Sequence, residues 1–408
     1  MLRRLLTAAF ALMLPTSGAH ALSGASDPSV VVGVMATLTG PGAITSQDAV
    51  DGFNLGLKEL GNRFSNQEVR VVVLDDKGSA DLAKQQVSRM LERERIDMVV
   101  TALSPPSFAA VIQPLLSARV FVFNLDQMPP AQAGAGCSPW LFGLAPPLGG
   151  VHEALGQHLT ATQVRRVALV LPPFSLSAPM VEAFRHSFAG EVVATLTPRP
   201  GATTFAPEFA AIARHKPDAI YSLLSGGMGG AFVRAWYDWP ERGEMAFYSQ
   251  GGGLERPYLP AMGEAAEDVA DVGTWSPDMD TPVNRRFVSD FELEYGRQAT
   301  TWAAQGFDAA FLIDAALRAT NGKTGDPDAI RAALRRAEFT SVRGSFKFNS
   351  NHTPVLSYLL RKVGQDAKGR TIPESQQPVL KEWRDRQAQS CSMHWVEEVI
   401  PLTSTKKP

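Results

Sequence analysis

The chain has 408 residues and a formal net charge of −2 at neutral pH, with 39 Lys and Arg against 41 Asp and Glu. This length allows two domains with ample hydrophobic cores. The charge is balanced and no basic stripe occurs, so nucleic acid is not an expected partner. For the same reason we expect no strong binding to anionic membranes.

The amino terminus has the pattern of a secretory signal peptide, which we predict to span residues 1–21. Two arginines precede a short apolar core at residues 5–14, and the small residues Ala19 and Ala21 frame a cleavage site. A bilayer span needs ~20 apolar residues, and neither this core nor any later stretch reaches that length. We therefore expect cleavage after Ala21 and a periplasmic chain that does not insert into the membrane.

Strands and helices alternate from residue 30 onward. The continuous apolar run at residues 30–34 predicts a strand buried on both faces, and the spacing of Val50, Phe53, Leu57 and Leu60 predicts an amphipathic helix after it. Further strands are predicted at residues 69–74, 96–100 and 120–123. These strands, with the helices between them, predict a first α/β lobe.

The same alternation begins again after Gly143. Strands are predicted at residues 167–171, 192–196, 219–224 and 246–248. Such alternation implies two parallel sheets with right-handed crossovers, in which ligands bind beyond the carboxyl ends of the strands. The loops that follow predicted strands are residues 38–44, 103–107, 124–127, 172–175, 225–228 and 250–252.

The pattern changes after Trp275. Long helices are predicted at residues 281–295 and 301–320, and a third begins at Asp326, before Pro327 in the first helical position. Two paired strands follow at residues 346–348 and 356–363. The polar sequence from Gly364 onward predicts an irregular tail.

No motif in the sequence indicates catalysis, a cofactor or a metal ion. The glycine run at residues 226–230 lacks the ending of a phosphate loop, and no nucleophile elbow occurs. His152 and His158 are six residues apart and do not share a helix face, while His352 is expected to be solvated in a turn. We therefore expect a protein that is not an enzyme.

The chain has two cysteines, Cys137 and Cys391. An even number in an oxidising compartment predicts one disulfide between them, and two buried free thiols are the alternative.

Several segments, taken in their order and spacing, resemble the leucine/isoleucine/valine-type periplasmic binding proteins, the type I solute-binding subunits of ABC importers. They are residues 32–42, 47–53, 73–76, 137–142 and 342–348. The resemblance implies two Rossmann-like lobes with parallel sheets, joined by a three-crossing hinge. It places residues 28–145 and 277–340 in the N-terminal lobe, residues 146–276 and 341–380 in the C-terminal lobe, and residues 381–408 in a tail.

The resemblance also implies a ligand site between the lobes. In that family, a hydroxyl after the third strand and the loop after the fourth hold the ligand's carboxylate, which points to Ser104, Asn124 and Leu125. The other strand-end loops add the candidates Leu38, Thr39, Phe174, Ser225 and Gln250. Ser104 would serve equally as a helix N-cap, and the two prolines after it remove two amide donors.

The second lobe departs from the amino-acid binders of the family. Gln250 stands where they carry the acid that takes the ligand ammonium, and a neutral amide does not balance a buried ammonium. Phe174 lies in an apolar turn and offers a ring for packing. We therefore expect an aromatic or other organic acid, an amide or a neutral small molecule, rather than a standard branched-chain amino acid. Asp126 is a further candidate acid of the pocket, although a solvated loop position is preferred for it.

By this resemblance the chain is a periplasmic substrate-binding protein of an ABC importer, working by hinge closure around the solute. Its expected partners are a small-molecule solute and an inner-membrane ABC permease, and the protein itself is expected to be a monomer. The alternative is a periplasmic ligand-sensing protein that acts through a signalling partner.

Overall fold

The computed structural model describes residues 29–40, 42–173 and 177–393. The predicted signal peptide and Phe174 lie outside the described residues.

The amino-terminal part of the chain forms the first β-sheet. Its strands within the described ranges are β1 (Val30–Ala36), β2 (Arg63–Phe64), β3 (Gln67–Asp75), β4 (Met98–Ala102), β5 (Phe121–Asn124) and β6 (Leu141–Gly143). Their spatial order is β2-β3-β1-β4-β5-β6, and all neighbours except β2 and β3 are parallel. All seven residues of β1 are buried, as its continuous apolar sequence predicts for a strand that is covered on both faces.

Helices connect these strands. They are α1 (Ala43–Glu59), α2 (Ala80–Arg93), α3 (Pro105–Ser117) and the short α4 (Pro130–Ala133). Helices α2 and α3 pack together over one face of the sheet, and α1 covers the other.

The second sheet begins after one passage of the chain out of the first. Its parallel strands within the described ranges are β7 (Arg166–Val170), β8 (Glu191–Leu196), β9 (Ala219–Ser222), β10 (Ala246–Ser249) and β11 (Val269–Gly273). The helices of this lobe are α5 (Leu148–Ala161), α6 (Ser177–Ser187), α7 (Ala206–His215), α8 (Gly226–Tyr237) and α9 (Leu259–Met262). Helices α5 and α6 cover one face, and α7, α8 and α9 cover the other.

Three helices then return to the first sheet: α10 (Pro282–Tyr295), α11 (Thr301–Ala319) and α12 (Pro327–Arg336). The predicted cap of α12 is present, since the Asp326 side chain accepts a hydrogen bond of 3.0 Å from the N–H of Ala329. Helix α11 lies against α1 with almost no space between the backbones. A Cβ added to Gly52 would lie 1.9 Å from the Ala303 carbonyl oxygen, and one added to Gly306 would lie 1.9 Å from that of Ala49.

The chain finally returns to the second sheet as β12 (Lys347–Phe348), β13 (Pro354–Gln365) and β14 (Thr371–Trp383). Strand β13 is antiparallel to β11, β12 and β14. The predicted α/β fold with two lobes and three chain crossings is therefore confirmed, but neither sheet is purely parallel: β2 and β3 are antiparallel in the first, and β13 is antiparallel to its neighbours in the second. None of the helices in the described part of the chain is long and apolar enough to cross a membrane.

Two predictions from the sequence are wrong here. The segment after Gly364 is not an irregular tail, because β14 pairs with β13 along most of its length. His352 is not solvated but fully buried, with its ring stacked on Phe142 at 4.0 Å between centroids. Burial lowers the pKa of His352 to about 3, so this side chain is a neutral core residue.

The disulfide between Cys137 and Cys391 is confirmed. Their Cα atoms are 5.6 Å apart, although 254 positions separate the two residues in sequence. The bond ties the chain that follows β14 to the segment that precedes β6, and it thereby adds a covalent cross-link to the chain crossings between the lobes.

We expect thiol titration of the unfolded, unreduced protein to find no free thiol. The variant Cys391→Ser should lower the free energy of unfolding by about 4–5 kcal/mol. This is the upper part of the usual range for a lost disulfide, because the loop that the bond closes is long. Two reactive thiols in the wild-type protein would contradict the bond.

Candidate functional site

The carboxyl ends of the parallel strands lie at one edge of each sheet. In the first sheet Ala36 is in register with Ala102, and Thr101 with Asn124. In the second, Ser222 is in register with the last residues of both β7 and β10. The loops singled out in the sequence therefore begin at the edges where ligands bind in such sheets.

A cavity of about 190 Å³ lies between the two lobes. The first lobe contributes the loop after β5 and the first two turns of α11. The second contributes one residue of α5, the loop after β10, the end of β11 and one residue of β13, and the chain crossing after β6 closes the wall. The wall is formed by Asp126, Gln127, Ala145, Pro146, Val151, Gln250, Gly251, Gly252, Val272, Gly273, Thr274, Thr301, Trp302, Gln305 and Arg361. Both lobes therefore enclose the same space.

One side of the cavity is aromatic. Trp302 lies in the first turn of α11, and the ring of Tyr258 meets it edge to face at 6.0 Å between centroids. Gly252 has a φ of 87°, and a Cβ at this position would lie 3.4 Å from the Trp302 ring. Glycine therefore permits both the turn and the close approach of the loop after β10 to this ring.

Arg361 is a wall residue whose guanidinium is already neutralised. Its Nε and Nη2 donate to the two oxygens of Asp271, both at 2.8 Å, and its Nη1 donates to Glu255 and to the Trp275 carbonyl, also at 2.8 Å. Burial lowers the pKa of Arg361, but the two carboxylates outweigh it and raise the pKa overall. The positive charge of Arg361 is therefore balanced by Asp271 and Glu255 within the protein.

The loop after β10 is fastened to the first lobe. Glu255 accepts hydrogen bonds from the Thr301 hydroxyl at 2.5 Å and from the Thr301 N–H at 3.2 Å. The next residue, Arg256, donates to the buried carboxylate of Asp48 on α1 at 2.6 Å. Two polar contacts therefore hold this wall of the cavity against α1 and α11.

Of the predicted site residues that the structure describes, Gln250 lines the cavity. Asn124 is buried, and its side chain organises its own loop: its Oδ1 accepts from the Thr101 hydroxyl at 3.0 Å, and its Nδ2 donates to the Asp126 carbonyl at 2.8 Å. Leu125 is also buried, and its N–H bonds to the Thr101 carbonyl. The structure therefore gives Asn124 and Leu125 a role in shaping the loop that carries Asp126.

The other predicted residues that the structure describes lie at the strand ends outside this wall. Ser104 caps α3, with a long hydrogen bond of 3.5 Å from the Ser107 N–H. The Leu38 N–H and the Thr39 hydroxyl both donate to Asp75, and Ser225 is exposed before α8. Contact of these residues with a ligand stays a prediction.

The preference for a solvated Asp126 is wrong. This residue is half-buried at the wall, where its Oδ1 accepts a hydrogen bond of 2.7 Å from the Gln127 N–H. Burial raises the pKa of the Asp126 carboxyl, and the Gln127 hydrogen bond opposes that shift. Sequence reasoning missed Trp302, Gln305 and Arg361 altogether, because none of them follows a predicted strand.

Comparisons with known proteins agree with this architecture. A family model described as periplasmic binding protein matches residues 29–369. The chain belongs to the periplasmic binding protein family, and the resemblance found in the sequence is confirmed. A Leu/Ile/Val-binding protein homolog 6 from Brucella abortus (strain 2308) is 24% identical over 368 residues, which cover 86% of this chain and 91% of that relative.

Solved structures share the fold. A solute binding protein of an ABC transporter from Rhodopseudomonas palustris, in complex with benzoate, has a TM-score of 0.77 and 23% identity, covering 89% of this chain and 99% of its own. An ABC transporter substrate-binding protein from Sphaerobacter thermophilus has a TM-score of 0.81 and 23% identity, covering 87% and 99%. At this identity the likeness concerns the fold alone.

Proposed function

We propose that this chain is a periplasmic substrate-binding protein of an ABC importer, which holds a small organic solute in the interlobe cavity. The observation that carries the proposal is a cavity at the carboxyl ends of the strands whose wall is built from both lobes of a hinged fold. A ligand that contacts both lobes favours the closed arrangement by its differential affinity. An inner-membrane permease then receives the solute from this closed form, and the chain itself acts as a monomer without catalysis.

Further support comes from the path of the chain. The lobe boundaries at residues 28–145 with 277–340, and 146–276 with 341–380, agree with the packing of α10 and α11 against α1 and of α12 against α11. Export follows from the predicted signal peptide, with cleavage after Ala21.

The ligand class is an aromatic or other organic acid, an amide or a neutral small molecule, rather than a branched-chain amino acid. Gln250 lines the cavity, and by the family resemblance it stands where the amino-acid binders carry an acid. Trp302 adds an aromatic face of the kind that a ring-shaped solute packs against. The similar protein from Rhodopseudomonas palustris was crystallised with such a solute, benzoate.

A thermal-shift screen of the mature protein tests this proposal. The panel contains branched-chain amino acids, aromatic acids, short-chain acids, amides and alcohols. A ligand at a hundred times its dissociation constant should add about 2.7 kcal/mol of stability. Leucine, isoleucine and valine should bind weakly or not at all, whereas micromolar leucine binding by calorimetry would contradict the selectivity.

Two tryptophan variants locate the site once a ligand is found. Trp302→Ala should weaken binding at least tenfold, because it removes the aromatic wall. Trp239→Ala is the control, since Trp239 is equally half-buried but stacks on Phe209 outside the cavity wall. Equal affinity of both variants would place the ligand elsewhere, and a panel without any ligand would contradict the function.

A further inference from the structure

The ionisable groups around the cavity are unequal in sign. Asp126 lines the cavity and forms no ion pair with any residue that the structure describes. Arg361 is the cation of the described wall, and it is shared between Asp271 and Glu255. The described wall together with the two partners of Arg361 therefore carries three carboxylates against one guanidinium, and the neighbouring Arg256 is paired with Asp48. Asp126 is the carboxylate of the described wall that has no cation beside it.

In the described part of the cavity wall, no guanidinium is free to bind an anion. Four of the five N–H groups of Arg361 already donate, to Asp271, Glu255 and the Trp275 carbonyl, and its side chain is 0% exposed. A carboxylate held here would lose its hydration beside Asp126 without gaining a cation, which is a costly exchange. A bidentate grip of the kind that arginine gives to carboxylates is therefore excluded at this residue.

The rest of the wall suits a hydrogen-bond donor. Gln305 is 2% exposed and Thr274 is 3% exposed, and each has a side-chain oxygen without a hydrogen-bond partner among the residues that the structure describes. Buried polar atoms normally have partners. The Asp126 carboxylate would make a strong charge-assisted bond with an N–H donor, and the Trp302 face attracts cations.

We propose that the cavity selects a small neutral or cationic solute with N–H or O–H donors, such as an amide, an amidine or an amine, and that it rejects carboxylates. This inference rests on the proposed function: it removes the acids from the proposed ligand class and adds cationic solutes to it. The volume of about 190 Å³ suits a solute of roughly one ring. The discriminating residue is Asp126, at the end of the loop that Asn124 shapes.

Matched probes separate charge from shape. Benzoate, benzamide and benzamidine share one planar outline and carry negative, neutral and positive charge. Butyrate, butyramide and butylamine repeat the comparison on an aliphatic chain. Calorimetry should show benzamide or benzamidine, or the corresponding aliphatic probe, binding at least tenfold more tightly than the carboxylate of the same series.

The variant Asp126→Asn tests the residue itself. Asparagine keeps an oxygen that accepts from the Gln127 N–H, so the loop should retain its shape. The preference for the cationic or neutral probe over the carboxylate should fall at least tenfold. Asp238→Asn is the control, because Asp238 is an exposed residue at the end of α8, and it should leave the preference unchanged. Melting temperatures without ligand check that both variants are folded.

The outcomes are distinct. Tighter binding of benzoate or butyrate than of its amide would overturn this inference and leave the proposed function standing. An unchanged preference in Asp126→Asn would overturn the assignment to Asp126. Binding of none of the six probes, with no response in the wider panel, would contradict the proposed function itself.

Discussion

Replacing Arg361 by methionine is expected to lower the free energy of unfolding by about 3–5 kcal/mol. The substitution leaves Asp271 and Glu255 buried without their cation, while the methionine side chain fills a similar volume. Chemical denaturation followed by tryptophan fluorescence and circular dichroism measures the loss. Adding Asp271→Asn to the variant should recover part of it, since one of the two uncompensated charges is then gone.

Arg370 provides the matched control. It binds Glu292 with two parallel hydrogen bonds of 2.6 and 2.9 Å, much as Arg361 binds Asp271, but its side chain is 36% exposed. Water solvates the partner left behind, so Arg370→Met should cost only about 0–1 kcal/mol. Equal losses from the two variants would refute the view that burial makes the Arg361 cluster critical.

Replacing Gly52 by alanine is expected to cost about 3 kcal/mol or more, because the added methyl group would lie 1.9 Å from the Ala303 carbonyl oxygen. The neighbour is backbone of α11, so relief requires the two helices to move apart. Alanine otherwise favours a helix over glycine by about 1 kcal/mol. Any loss of stability in this variant therefore reports the close contact between α1 and α11. Thermal or chemical unfolding measures that loss.

Gly227→Ala is the comparison for this variant. Gly227 lies in the first turn of α8, and a Cβ there would meet no atom within 4 Å. The same substitution should leave stability unchanged or raise it slightly. If Gly52→Ala proved as stable as Gly227→Ala, the close helix crossing would be refuted.

The elements that the sequence predicts well are those whose signal is local. Strand β1 is a continuous apolar run, and α12 begins with its own cap and proline. Strand β14 has no such local signal. It pairs only with β13 among the described strands, and much of it is exposed, so its sequence does not alternate between apolar and polar residues. It also contains Pro373 and Pro378, which an edge strand tolerates and a central strand does not.

The site divides in the same way. Gln250 follows a predicted strand directly, so topology alone indicates its position. Trp302 and Gln305 lie on a helix that reaches the cavity only because α11 returns to α1 after a long excursion through the second lobe. His352 is buried by Phe142, a partner more than two hundred positions earlier in the chain. Contacts of this kind depend on tertiary packing and leave no pattern in a short window of sequence.

The Cys137–Cys391 bond imposes an order on the maturation of the molecule. It closes a covalent ring that contains every described strand of the second sheet, and its second sulfur, that of Cys391, follows β14 in the chain. With two cysteines in the sequence, the chain has one possible internal pairing and no wrong one. Formation of this bond therefore needs an oxidant but no isomerase to correct the pairing, and the ring can close only after β14 has been synthesised.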